Sequence, residues 1–271
     1  MMSQASRDSL AQLHTELKPS LSAGGVELGA ELFAALKVIE ENGALRRSVT
    51  DPTVEANRRQ DLIGNIYAKK VSAEAVKVLQ GVAGTRWSTE REFGDAVEYL
   101  AATAVVHSAE HNGLAGLESL TQQLLAFNHA VEANHELQRA LTDQQAPVSA
   151  RGELAVSLMT ADAMDAAKVL VRQAVELPRG AKPVDLVRRF ADISAKQQRQ
   201  WIADVTVARP LQQTQVDRLA KSLSAAFGRE LTLNIEIDSQ LVGGIRIQVG
   251  DEVIDSSVAT RLNDLNTTMA G

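Results

Sequence analysis

The stretch NGALRRSVTD, Asn42–Asp51, returns as NHELQRALTD, Asn134–Asp143. Both read N-x-x-L-x-R-x-x-T-D, with Asn42 over Asn134, Leu45 over Leu137, Arg47 over Arg139 and Thr50-Asp51 over Thr142-Asp143. One gap further on, EAVKVL from Glu74 matches DAAKVL from Asp165. Self-similarity in fixed order is the mark of a repeated structural unit. It predicts one helical unit present twice.

The surroundings are helical from Ser3 to about Gln200. Leu10, Leu13, His14 and Leu17 recur at i, i+3, i+4 and i+7. Leu32, Leu36 and Ile39 follow the same rule, as do Leu62, Ile63, Ile66 and Tyr67, and then Leu117, Leu120, Leu124, Phe127 and Val131. Thr89-Glu90-Arg91-Glu92 is a capping box, with Phe93, Val97 and Leu100 on the face it opens. These stripes read as bundle core. The helix from about Thr89 to Glu110 sits at the seam, where it can close one bundle and open the next. No Gly/Ser/Pro-rich linker interrupts that region.

After Trp201 the period changes. ADVTVARPL carries β-branched alternation. LQQTQVDRLAKSLSAAFG is an amphipathic helix lined by Val216, Leu219, Leu223 and Phe227 and stopped by Gly228. ELTLNIEID alternates strictly, and Ile245, Ile247 and Val249 alternate up to Gly250-Asp251, beyond which Val253 and Ile254 resume, a hairpin. A last helix is predicted near Ser257, with Val258, Leu262 and Leu265 as its stripe. The fold class expected is mainly α with a C-terminal α+β module: two tandem helical bundles, then a small β-α-β-β-α domain. The boundaries expected are 1–105, 89–203 and 204–271, the first two overlapping at the seam helix 89–110, whose sharing the sequence leaves open.

Composition narrows the function. Of 271 residues 45% are hydrophobic but only 3% aromatic, which suits helix packed on helix. The absence of cysteine excludes disulfides and thiolate metal sites. A net charge of −6 argues against a duplex-DNA binder, and aromatics interleaved with basic residues, as single-strand binders use, are missing. No run of about 18 apolar residues could span a membrane, and MMSQASRDSL lacks a signal-peptide pattern. A soluble cytoplasmic chain is expected.

Individual chemistries fare poorly. Gly243-Gly244 enters a strand and not a helix. With neither G-x-x-x-x-G-K nor G-x-G-x-x-G in the chain, it reads as a bulge or close backbone approach and not a phosphate loop. His107 and His111 have the i, i+4 spacing of zinc ligands but no third ligand and no H-E-x-x-H order. No G-x-S-x-G is present. Glu40-Glu41, Asp251-Glu252, Arg46-Arg47, Arg58-Arg59 and Arg188-Arg189 read as solvated faces. No catalytic, cofactor-binding or metal-ligating residue is proposed. A generic helical adaptor, and an enzyme with a site between its domains, are the other classes to weigh.

One window carries a family likeness. Leu231, Leu233, Ile237, Asp238, Leu241, Gly243, Gly244, Ile245, Ile247 and Gly250, continued by Asp251, Val253, Ile254, Asp255, Ser257 and Arg261, resemble the signature of the δ subunit of F-type ATP synthase, the OSCP family. NHELQRALTD is similar to that family's helical segment, so the likeness runs from about Thr89 to the C-terminus, with the residues before it as a second, degenerate copy. The resemblance implies a non-catalytic stator without cofactors, at the cytoplasmic face of the membrane, as part of a heteromeric complex. It implies as partners the N-terminal helices of the α subunits and the C-terminal helix of the b subunit. Through helix order it implies an α-subunit groove on Val97, Leu100, Ala101, Ala104, Ala167, Leu170, Val171 and Ala174. For the b contact it implies Val258, Leu262 and Leu265.

Overall fold

The structure, a computed structural model, describes residues 2–199, 201–228, 231–238, 241, 244–250 and 252–255. It is mainly helical, with a small four-stranded mixed sheet toward the C-terminus. The chain divides into two compact units, one of residues through Asn112 with Ser119–Ser194, the other of Gly113–Glu118 with the chain from Ala195 onward. Both helical stretches of the repeat therefore lie in a single unit.

In that first unit α1 (Gln4–Glu41) is capped by Ser3 and passes through Pro19. It breaks at Gly25, whose φ of 56° only glycine adopts cheaply. Then follow α2 (Gly43–Thr50), α3 (Ala56–Tyr67), α4 (Ala73–Gly84), α5 (Glu90–Ala109), a 3-10 turn at Glu110–Asn112, α6 (Gly113–Glu132), α7 (His135–Thr142), α8 (Val148–Ser157), α9 (Asp165–Glu176) and α10 (Pro183–Arg199). The second halves of α1 and α6 lead into the same succession of helices. Starts recur at a spacing of ninety-two: α2 at 43 and α7 at 135, α3 at 56 and α8 at 148, α4 at 73 and α9 at 165.

The local chemistry recurs as well. Asn42 Oδ1 accepts from Leu45 N at 3.1 Å, and Asn134 Oδ1 from Leu137 N at 3.2 Å. Thr50 Oγ1 donates to Arg46 O at 2.8 Å, and Thr142 Oγ1 to Gln138 O at 2.7 Å. Asp51 closes α2 at φ −62°, ψ 114°, and Asp143 closes α7 at φ −64°, ψ 114°. Each short helix is thus stapled at both ends by its own side chains. Ala75, Val78, Leu79, Val82 and Ala83 are buried on α4, and so are Ala167, Leu170, Val171, Ala174 and Val175 at the same spacing on α9. That register needs no gap, whereas matching EAVKVL to DAAKVL by letters does.

α5 is buried along most of its length, because α1 lies along it on one side and α4 and α9 on others, and its charged residues gather in its first half. Gly29 lets α1 come close: a Cβ there would strike Val105 and stand 2.9 Å from the Ala101 carbonyl. Phe33 of α1 meets Phe190 of α10 at a ring separation of 6.2 Å.

In the second unit the sheet order is β2-β1-β3-β4, with β1 (Ile202–Val207), β2 (Thr232–Ile237), β3 (Ile245–Val249) and β4 (Glu252–Asp255). β1 and β2 are parallel, joined by the crossover helix α11 (Gln213–Phe227). β1–β3 and β3–β4 are antiparallel. Ala203, Val205, Val207, Ile247 and Val249 pack with Leu219, Leu223 and Phe227 of α11. Gly228, at φ 65°, ends α11 as its left-handed cap. The second arm of the hairpin forms a strand of its own, so the described order is β-α-β-β-β where a β-α-β-β-α module was expected. The helix predicted near Ser257 lies outside the described residues.

Candidate functional site: the helix-joining contacts

The most concentrated electrostatics lie where α1, α5 and the α9–α10 connection meet. Arg179, in the left-handed region at φ 48°, is buried. Its Nε donates to Glu40 Oε1 at 2.7 Å, its Nη2 to Asp95 Oδ1 at 2.9 Å, and its Nη1 reaches Glu98 Oε2 at 3.4 Å. Nη2 also donates to the Arg91 carbonyl at 2.9 Å, and Arg91 Nη2 returns a bond to the Arg179 carbonyl at 2.8 Å. Gly94 makes room, since a Cβ on it would stand 2.6 Å from Arg179 Nη2 and from Glu40 Oε1. Burial opposes the guanidinium charge, but Glu98, Asp95 and Glu40 outweigh it and hold the proton on more firmly than usual. Burial pushes the Glu98 carboxyl up against the pull of Arg179. Three carboxylates on one arginine form a clamp between helices, and its energy lies in partners that cannot be removed singly.

A second clasp ties the start of α1 to the start of α5. Glu92 accepts from Ser3 N at 2.6 Å, Ser6 Oγ at 2.8 Å and Ser88 N at 3.0 Å. Burial raises this carboxyl, yet its hydrogen bonds win and leave it below the usual range. The N-cap half of the expected capping box is present, with Thr89 Oγ1 accepting from Glu92 N, while the Glu92 carboxylate turns to Ser88 N and to Ser3 and Ser6 of the first helix.

The residues named from the sequence fall as follows. Val97, Leu100, Ala101, Ala104, Ala167, Leu170, Val171 and Ala174 are all fully buried. They are interior and not an open groove, because α1 covers α5. In the signature window Leu231 and Ile247 belong to the sheet core. Leu233 and Ile245 pack against it, and Ile237, Val253 and Ile254 stay exposed. Asp238 N donates to the Val207 carbonyl at 3.0 Å, and Leu241 N to the Asp238 carbonyl at 3.1 Å, which turns the chain after β2. Gly244 at φ 88° precedes β3, and Gly250 at φ 59° follows it. Both φ values lie in the region that favours glycine, Gly244 at the strand start and Gly250 at the turn of the hairpin. Asp255 ends β4. Gly243, Asp251, Ser257, Arg261, Val258, Leu262 and Leu265 lie outside the described residues.

His107 Nδ1 meets Glu110 Oε1 at 2.9 Å in a buried position, while His111 is exposed and bonded to the Ser108 carbonyl at 2.8 Å. The two rings are thus engaged separately. Among the described residues no group of three or more His, Asp and Glu is placed to hold a metal. No described helix is long and apolar enough to cross a membrane. The Arg179 clamp was missed in sequence. Its one local trace is Pro178-Arg179-Gly180, a turn-like trio, and its partners lie 81 to 139 residues away.

This geometry defines a helix-bundle protein with a small mixed-sheet module, its helices joined by buried ion pairs and hydrogen bonds. Comparison with known proteins names the family. The pattern of the ATP synthase delta (OSCP) subunit matches residues 98–269. The chain is 44% identical to the ATP synthase subunit delta of an Arthrobacter species and 45% identical to that of Pseudarthrobacter chlorophenolicus. It is 34% identical to that of Thermobifida fusca, and all three alignments cover 100% of both chains. The chain belongs to the ATP synthase delta (OSCP) family, as a non-catalytic subunit of F-type ATP synthase. The residues before the matched region are shared by these full-length relatives, so the long form is common to them.

Proposed function

We propose that this subunit is the stator link of its ATP synthase, joining the catalytic head to the peripheral stalk. The observation that carries the reading is the family match across the second helical stretch and the sheet module. In this reading the helical unit takes N-terminal helices of α subunits, and the C-terminal module takes the end of the b stalk, on Val258, Leu262 and Leu265. The assembly sits at the cytoplasmic face of the cell membrane through the complex. A static link must resist rotor torque so that proton flow stays coupled to ATP synthesis. Capped helices, a buried ion clamp and close α1–α5 packing suit that task, because stiffness comes from densely packed two-sided contacts.

The helical unit itself is one ancestral unit present twice, sharing α5 as last helix of the first copy and first helix of the second. The matched caps at Asn42 and Asn134 and the matched core of α4 and α9 support this reading. So does an exchanged pair. Bulk from Gln60 fills the space beside Gly84, while at the same spacing Gly152 faces bulk from Glu176. Large and small have traded sides.

Calorimetric titration of the chain with a peptide copying the N-terminal helix of its own α subunit tests the α contact. Saturable binding is expected, and absence of heat and of saturation would overturn it. Hydrogen exchange run alongside locates the seat. A peptide reaching the stripe from Val97 to Ala174 must displace α1 and raise its exchange, whereas one seated elsewhere leaves α1 protected.

A further inference from the structure

The two copies differ at one end of the bundle. In the first, Arg46 bridges α1 and α5, with Nη1 3.4 Å from Glu40 Oε2 and Nε 3.1 Å from Glu90 Oε2. The residues at the same spacing in the second are Gln138, Glu132 and Lys182. Gln138 turns its amide back onto the carbonyls of Val131 and Glu132, at 3.2 and 3.0 Å, and reaches no charged partner. A cleft of about 600 Å³ stands there, between the end of α6, α7 and the start of α10.

Its floor is apolar, from Val131, Leu141, Pro183 and Val184. Asn128 Nδ2 donates to the Val184 carbonyl at 2.9 Å and fixes that wall. The rim is basic, from Arg139 and Lys182 with His135 beside them. Of the two acids present, Glu132 is engaged by Arg188 at 2.9 Å. Asp185 lies in the first turn of α10, where the helix dipole already favours it. Among the described residues no carboxylate pairs with Arg139 or Lys182. With Glu132 held by Arg188, Lys182 and Arg139 face one remaining acid, Asp185, around an apolar floor.

We infer that this cleft is a docking site for an acidic segment of a partner polypeptide, one that sets an aliphatic side chain on the floor and a carboxylate against Lys182 and Arg139. In the first copy this end is closed internally by Arg46 and Glu90, whereas in the second the counterpart positions carry Gln138 and Lys182, and no internal ion pair closes it among the described residues. The volume suits a few side chains and not a whole helix, and the charge complementarity selects acid over base. The site is distinct from the α5–α9 stripe and does not depend on it.

The chain has no cysteine, so Thr142→Cys creates a single thiol at the cleft. In the isolated chain a maleimide should label it readily. In the assembled ATP synthase, labelling should fall about tenfold as a partner segment covers the cleft. A maleimide-benzophenone on the same thiol should then cross-link to a segment of another subunit that carries Asp or Glu. Lys182→Glu or Arg139→Glu, both at exposed positions, should cut that cross-link several-fold, and Lys182→Arg should keep it. Unchanged labelling in the complex would overturn the inference. So would a cross-link to lipid or to a second copy of this chain, or a yield indifferent to the charge reversals.

Discussion

Arg46 and Gln138 occupy the same place in two helical stretches of matching register, yet one closes its end of the bundle and the other leaves a cleft. Around them much is shared, from the Asn caps to the buried faces of α4 and α9. What the two stretches keep is the chemistry that forms each helix. What they vary is the chemistry at the ends, where a helix bundle meets something else. The contrast extends to α1, which runs along α5 and helps to bury the stripe from Val97 to Ala174. Two stretches of matching register need not offer two equal binding faces, since one can cover and brace the other.

The largest effect should come from the clamp that joins the two stretches. Arg179→Met leaves Glu40, Asp95 and Glu98 together without their cation, and urea melts should show a loss of about 3–5 kcal/mol. Adding Glu98→Gln should return part of it. If Arg179→Met melts like the parent, the clamp does not hold the halves together.

Next comes an asymmetry in pH. Tyr67 of the first copy is buried and donates to the Ala35 carbonyl at 3.1 Å, and burial pushes its hydroxyl up to about 12. Its counterpart in the second copy is Met159. A pKa raised by folding means stability that is whole below the unfolded value near 10 and lost as pH climbs through 12. A shift of this size corresponds to about 2–3 kcal/mol. Spectroscopic titration is clean because the chain has only two tyrosines. Ionisation of both near pH 10 in the folded chain would break the assignment.

The exchanged pair sharpens the comparison further. Gly152→Gln should cost about 1–3 kcal/mol by overpacking against Glu176, and Gly152→Gln with Glu176→Gly should recover most of it by rebuilding the arrangement of the first copy. Additive losses would mean that the two sites are not equivalent. Asn42→Ala and Asn134→Ala should each cost about 1 kcal/mol, alike within the error of a melt, as equivalent N-caps must. Arg46→Gln should cost least, about 0–1 kcal/mol, since its ion pairs are partly exposed, while opening in the first copy a cleft like that of the second.

The parts legible in sequence were those with short-range causes. Thr89 to Glu92 announced the start of α5, Gly228 the end of α11, and the alternation from Ile245 to Ile254 the hairpin. The Asn-to-Thr-Asp register carried the repeat because both caps lie within one short helix. What was not legible depended on distant neighbours. That α1 continues through Pro19 and bends only at Gly25 is decided by its packing on α5. The stripe from Val97 to Ala174 reads the same whether a partner or the chain's own α1 covers it, so periodicity could not tell groove from core. Arg179 sits in a connection, and three of its carboxylates come from helices far away in sequence.

The central claim, that this subunit mechanically links head to stalk without chemistry of its own, is tested most directly by ATP-driven proton pumping in membrane vesicles. The enzyme would be stripped of this chain and then refilled with it. The account predicts that stripped vesicles still hydrolyse ATP but do not pump, and that the purified chain restores pumping. Stripped vesicles that pump as well as refilled ones, or that lose hydrolysis itself, would contradict it.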